Sequence, residues 1–145
     1  AQKGMKMNRT IKFRGKPLDN KKWHYGHYSD FNHNPDGLPK MSYWITTPAG
    51  GCTIQANPHT IGQFTELYDK NEKEIYEDDI LKVYIGNGKY ELRQVYWRQG
   101  AYWTKRVKSY GFYGEEPQTL SFYFTNKIEV EVIGNRYDNP ELIKR

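Results

Sequence analysis

The chain has 145 residues, of which 37% are hydrophobic and 27% charged, with 22 Lys and Arg against 17 Asp and Glu. The formal net charge of +5 and pI of about 9.1 permit contact with nucleic acid or an anionic surface. The single cysteine, Cys52, excludes an intrachain disulfide framework, and no apolar run approaches the ~18 residues of a membrane span.

Aromatic residues make up 16% of the chain, including 13 Tyr and 4 Trp, so burial must rest on amphipathic rings more than on Leu and Ile. One domain is expected over residues 7–145, with residues 1–6, which precede or contain the candidate starts Met5 and Met7, set aside. No charged start followed by an apolar stretch marks a signal peptide, so a soluble, intracellular chain is expected.

Taken in order, the chain reads as short β-branched and aromatic runs bounded by Gly, Asn, Asp and Pro, the pattern of a mainly β domain. The first run is Arg9–Gly15, with Ile11 and Phe13 on one face and Lys12 and Arg14 on the other. The stretch from Trp23 to Tyr28 is the returning strand. Residues 29–60 are punctuated by Pro35, Gly37, Pro39, Pro48 and Pro58 and read as a loop-rich excursion with one strand, Ser42–Thr46. A strand over Thr60–Leu67 leads into an acidic turn. Between Glu66 and Asp79, seven acids stand against Lys70 and Lys73, a local charge of −5 in a basic chain.

Asn87-Gly88 lies between two alternating runs and predicts a type I′ hairpin. A regular ladder would pair Gly86 with Lys89, Ile85 with Tyr90, Val83 with Leu92 and Leu81 with Gln94. It would place Glu91 and Arg93, opposite Tyr84 and Lys82, on a face that is wet or meets an acidic neighbour. Ser121–Thr125 and Lys127–Gly134 are further strand candidates. Asn139-Pro140-Glu141 predicts a capped short helix.

Several chemistries compete for the distinctive residues. The acidic turn resembles a calcium loop in Asp69 and Asn71, but Lys73, Glu74 and Ile80 stand where that loop needs a ligand, a Gly and a bidentate Glu. Glu77 and Asp79 could converge on magnesium for phosphodiester chemistry, although no further carboxylate-x-Lys motif completes such a site. His24 and His27 form a spacing that suggests zinc, but they lie three apart, on opposite faces of a strand, and Cys52 lacks a recognised catalytic context, with His59 a conceivable base. No Gly-rich phosphate loop is present, and no cofactor is implied. The segment Tyr96–Gly114 interleaves rings with cations: Trp97, Arg98, Tyr102, Trp103, Lys105, Arg106 and Lys108 are the candidate nucleic-acid contacts, with rings for bases and cations for phosphates.

The blocks IKFRGKPLDNKKW, TIGQFTELYDKNEKEIYEDDILKV and EVIGNRYDNPEL, in that order, resemble the YopX-like family of phage and prophage proteins. The middle block resembles G-Q-x-T-G-L-x-D-K-N-G-K-E-I-Y-E-G-D-I, with Glu66, Glu72 and Asp78 where the family pattern has Gly. The resemblance implies a bacteriophage or prophage origin, a bacterial cytoplasm and a β-rich pseudobarrel of SH3-like hairpins with short helices. It carries no activity and no catalytic residues. The resulting expectation is a non-enzymatic accessory protein that binds a partner, with nucleic acid as the leading partner and a host or phage protein as another. The alternatives are a metal-dependent phosphodiesterase using Glu77 and Asp79, or a structural, homo-oligomeric phage protein.

Overall fold

The computed structural model describes residues 9–33, 37, 40–48, 50–110 and 116–143. The segment set aside at 1–6, the prolines at 35 and 39, and the end of the basic aromatic segment at 111–114 lie outside the described residues. The fold is mainly β, as expected, with its strands in antiparallel sheets. It divides into two compact units, residues 1–66 and residues 67–145.

The first unit contains β1 (Phe13–Gly15), β2 (His24–His33), β3 (Lys40–Thr47), β4 (Cys52–Gln55) and most of β5 (Gly62–Tyr68). Its strands lie in the order β4-β3-β2-β1-β5. The expected excursion over 29–60 is therefore corrected in part: the strand expected at Ser42–Thr46 forms within β3, and the end of β2 and the whole of β4 are strands as well. β2 and β3 pair from His27↔Thr46 to His33↔Lys40, and β4 continues the sheet through Ile45↔Ile54. Alternation survives inside the punctuated sequence because Pro48 and Pro58 fall between strands, where no ladder hydrogen bond is lost. One face is closed by Ile45, Ala56, and Phe13 against Tyr28 at a centroid distance of 5.3 Å.

Gly15 belongs to this face, where an added Cβ would lie 3.2 Å from Ile45 and 3.3 Å from Ile61. Asn57 starts the 3₁₀ turn Pro58–Thr60 by accepting the His59 N–H, and Thr60 Oγ1 receives the Lys16 N–H at 2.9 Å. The β1 expectation holds only in part. Ile11 is 46% exposed, whereas Arg14 is buried beneath Trp23, its guanidinium carbon 4.3 Å from the ring centroid. A large ring lying over the cation outweighs the simple rule that charge faces water.

The second unit contains β6 (Glu74–Tyr76), β7 (Asp79–Gly86), β8 (Lys89–Arg98), β9 (Ala101–Tyr110), β10 (Gln118–Thr119), α1 (Leu120–Thr125) and β11 (Val130–Asn135), with a 3₁₀ turn at Pro140–Leu142. The sheet order is β10-β9-β8-β7-β11. Its core is Ile75, Leu81, Val83, Val95, Leu120, Tyr123 and Val130.

The Asn87-Gly88 turn forms with φ of 54° and 74°, as a type I′ turn requires, and Gly86 pairs with Lys89. Beyond that pair the expected register is overturned. Ile85 bulges out, so Tyr84 pairs with Tyr90, Val83 with Glu91, Lys82 with Leu92 and Leu81 with Arg93. One extra residue moves the whole of β8 to the other face relative to β7, and Glu91 and Arg93 enter the core side.

Ser121–Thr125, expected as a strand, is helical within α1. Leu120, Tyr123 and Phe124 recur at i, i+3 and i+4, and Leu120 and Tyr123 are buried against the sheet core. This packing overrides the β preference of Phe and Tyr. Asn126 closes the helix by donating Nδ2 to the Phe122 carbonyl, and Lys127 follows at φ 56°. The short C-terminal turn forms where expected, but Asn139 does not cap it, because its Oδ1 accepts the Asn135 N–H instead.

Candidate functional site

The acidic segment folds as a turn whose carboxylates serve the backbone. Asp69 Oδ1 accepts the N–H groups of Asn71 at 2.8 Å and Lys73 at 2.9 Å, and Oδ2 accepts that of Val132 at 2.9 Å. Asp79 Oδ2 takes the Tyr76 N–H at 2.7 Å in a fully buried position. Asp78 accepts from Gln94 Nε2 and from the Tyr137 hydroxyl, and Glu74 accepts from the Tyr76 hydroxyl. The Asp79 carboxylate is thus engaged as a cap, while Glu77 is half-buried beside it in sequence. Among the described residues, no group of three or more His, Cys, Asp or Glu is spaced to hold a metal ion.

The three positions where the family pattern carries Gly share one conformation. Glu66, Glu72 and Asp78 have φ of 72°, 63° and 69°, the left-handed region that glycine enters without cost. Asp78 offsets its strain through its two side-chain hydrogen bonds. Glu66 forms an ion pair with Arg9 at 3.5 Å.

The candidate ring-and-cation residues lie on the β8–β9 hairpin, which turns through Gln99 at φ 49° and Gly100 at φ 82°. Its register pairs Tyr96 with Trp103, Trp97 with Tyr102 and Arg98 with Ala101. Strand alternation therefore splits the seven candidates between two faces. Trp97 and Tyr102 share the core-side face, their rings 4.9 Å apart and inclined at 65°. Arg106 shares that face, paired across from Arg93.

Arg106 is taken up in a charge network. Glu91 accepts Arg93 Nη1 at 2.8 Å and Arg106 Nε at 3.0 Å, and Glu116 accepts Arg93 Nη2 at 3.2 Å and the Arg106 N–H at 2.8 Å. Thr104 Oγ1 accepts Arg93 Nε at 2.8 Å and lies 3.2 Å from the Tyr123 hydroxyl, whose pKa burial pushes upward. Two arginines and two carboxylates satisfy one another on this side of the sheet, Arg93 and Glu91 buried and Glu116 at the exposed edge of the network. Sequence reading missed this network because the bulge that turns Glu91 and Arg93 inward leaves no mark in the hydrophobic pattern.

The opposite face of the hairpin gathers Arg98, Trp103, Lys105 and Lys108 with Tyr96. Trp103 and Tyr96 are direct cross-strand neighbours, and Lys105 Nζ lies 5.8 Å from the Tyr96 centroid. A second bulge in β9, between the partners of Leu92 and Arg93, returns Lys108 to this face opposite Leu92, which pairs in turn with Lys82. Lys82 Nζ sits 4.3 Å from the Tyr90 centroid, and Tyr84 donates to Glu131 at 2.8 Å, a bond that raises the Tyr84 pKa. The rings and cations of this face flank the buried Ile80, Gln94 and Leu92.

His24 and His27 fall on opposite faces of β2, and His33 Nε2 lies 2.9 Å from Ser42 Oγ. Cys52 is exposed on β4. No helix among the described residues is long and apolar enough to cross a membrane.

Comparison with known proteins places this architecture. A family model described as YopX protein matches residues 12–144, spanning both units. No curated protein matches the chain. The crystal structure of protein EF1440 from Enterococcus faecalis is similar in fold, with a TM-score of 0.53 and 19% sequence identity, over 94% of this chain and 100% of that one.

Proposed function

The chain belongs to the YopX family, and for this member we propose a non-enzymatic binding module that takes single-stranded nucleic acid on the outer face of the β8–β9 hairpin. The observation that carries this reading is the Tyr96–Trp103 cross-strand ring pair, with Lys105 and Arg98 on the same face. Rings stack on any base and cations follow the phosphates, each stacked base contributing ~1–3 kcal/mol. Trp97, Tyr102 and Arg106 support the hairpin from its other side and are not contacts in this reading. Asp69 and Asp79 at the acidic turn hold backbone N–H groups, which favours binding over metal-assisted hydrolysis.

Fluorescence anisotropy with labelled oligothymidine tests the proposal. Trp103→Ala is expected to weaken binding about tenfold, and Lys105→Gln to lessen its salt dependence. Wild-type affinity in Trp103→Ala would remove the hairpin from the interface. Mg²⁺-dependent cleavage lost in Asp79→Asn would instead favour the phosphodiesterase.

A further inference from the structure

The charge of the chain is divided unevenly between its units. Residues 1–66 carry nine Lys and Arg against four Asp and Glu, whereas residues 67–145 carry thirteen against thirteen. The whole net charge of +5 therefore belongs to the first unit.

Within that unit the sheet sorts charge by face. Alternation along β1 puts Arg14 on the face away from the Ile45 core, and Lys12 and Lys16 follow the same alternation to either side. Trp23 covers Arg14 and Lys16, and Tyr25, paired with Arg14, stands beside them 41% exposed. Farther along β2 on the same face, Phe31 is 54% exposed. Exposed Lys21 and Lys22 precede Trp23 at one end, and exposed Lys40, paired with His33, closes the other.

The described carboxylates of the unit are engaged elsewhere or by neighbours. Asp30 points to the other side and accepts the Tyr28 hydroxyl, Asp19 accepts the Lys21 N–H in the β1–β2 turn, and Glu66 is engaged by Arg9. A sheet face with exposed rings and exposed cations at both ends, in the unit that carries the net positive charge, is complementary to a polyanion that also carries flat apolar groups.

We propose that this face is a second contact for single-stranded nucleic acid, with Lys21, Lys22 and Lys40 on phosphates and Tyr25 and Phe31 stacking on bases. It takes its ligand class from the reading of the β8–β9 hairpin but uses different residues, so the two can fail separately. Substituting exposed side chains leaves the core untouched, and circular dichroism checks that the fold persists.

The test uses the full chain and labelled oligothymidine across a salt series, with heparin as a polyanion lacking bases. Lys21→Gln with Lys22→Gln is expected to reduce the slope of log K against log salt by about 1.4, at about 0.7 per single-strand phosphate contact. Phe31→Ala is expected to weaken oligothymidine binding about tenfold while leaving heparin binding unchanged. If Trp103→Ala weakens binding while these variants bind as wild type with an unchanged slope, the hairpin reading stands and this inference is overturned. If these variants weaken binding and Trp103→Ala does not, this face stands and the hairpin reading falls. Heparin binding alone, or no oligonucleotide binding even at low salt, overturns the inference.

Discussion

The two units solve the same problem, a cation buried against a β-sheet, in different ways. In the second unit Arg93 is wholly buried and meets Glu91, Glu116 and Thr104 at hydrogen-bond distance. In the first, Arg14 is buried under the Trp23 ring, with Lys16 at 5.2 Å from the same ring. The second unit balances its charges internally, whereas the first sets rings beside its cations and keeps a positive excess. The lesson is that a basic isoelectric point belongs to one part of a chain, and that carboxylate-neutralised cations such as Arg106 are poor candidates for ligand contact.

Removing the acid from the balanced network should have the largest effect. Glu91→Ala leaves Arg93 buried without its closest carboxylate and is expected to destabilise the fold by about 3–5 kcal/mol, measured by urea unfolding. Trp23→Leu keeps apolar cover over Arg14 but removes the ring, and should cost less, about 2 kcal/mol. Equal losses would erase the contrast between the two solutions.

The acids of the second unit also serve its backbone. Asp69→Ala strips an acceptor from three N–H groups, those of Asn71, Lys73 and Val132. A loss of about 3 kcal/mol is expected, and hydrogen exchange should show the Val132 amide losing protection. A loss below about 1 kcal/mol would mean that the turn is held by its backbone bonds alone.

Smaller effects of opposite sign separate two left-handed residues. Glu72→Gly relieves positive φ at an exposed position and should stabilise by up to about 1 kcal/mol. Asp78→Gly relieves the same strain but forfeits the bonds to Gln94 and Tyr137, and should destabilise. Thermal unfolding of both variants decides the matter, and two stabilised proteins would show that the Asp78 bonds contribute little.

The smallest effect is a pH dependence in the first unit. The Tyr28 hydroxyl, raised first by burial and then by its bond to Asp30, has a pKa pushed up from 10.0 to about 12. The folded state favours the neutral phenol, so this stability is fully present below pH 10 and is lost as pH rises from 10 towards 12. Tyr28→Phe should flatten that part of the unfolding profile, and an unchanged profile would assign the loss to other groups.

Much of the local structure was legible. Asn87-Gly88 announced a type I′ hairpin, and Asp69-Lys70-Asn71-Glu72 announced a turn, because side chains that mimic or permit turn geometry act over a few residues. The family resemblance marked Glu66, Glu72 and Asp78 as positions where the pattern has Gly, and the structure holds all three at positive φ. The candidate site was legible as a composition but not as a surface. Trp97, Tyr102 and Arg106 stand beside Arg98, Trp103 and Lys105 in sequence, yet the pleat sends the two sets to opposite faces.

The amino-acid sequence by itself determined the β character and the turn positions, since each follows from the backbone preferences of neighbouring residues, whereas the expected ring-based burial is corrected: the buried core is mainly Ile, Leu and Val, with Phe64, Tyr76 and Tyr123 as its rings. Only the tertiary structure decided that Ile85 bulges, that Glu91 and Arg93 face inward, that Leu120–Thr125 is helical and that β2, β3 and β4 pair into one sheet. A bulge or a short helix is chosen by what it lets distant side chains bury, and the cost of one unpaired ladder residue is offset only by contacts many residues away.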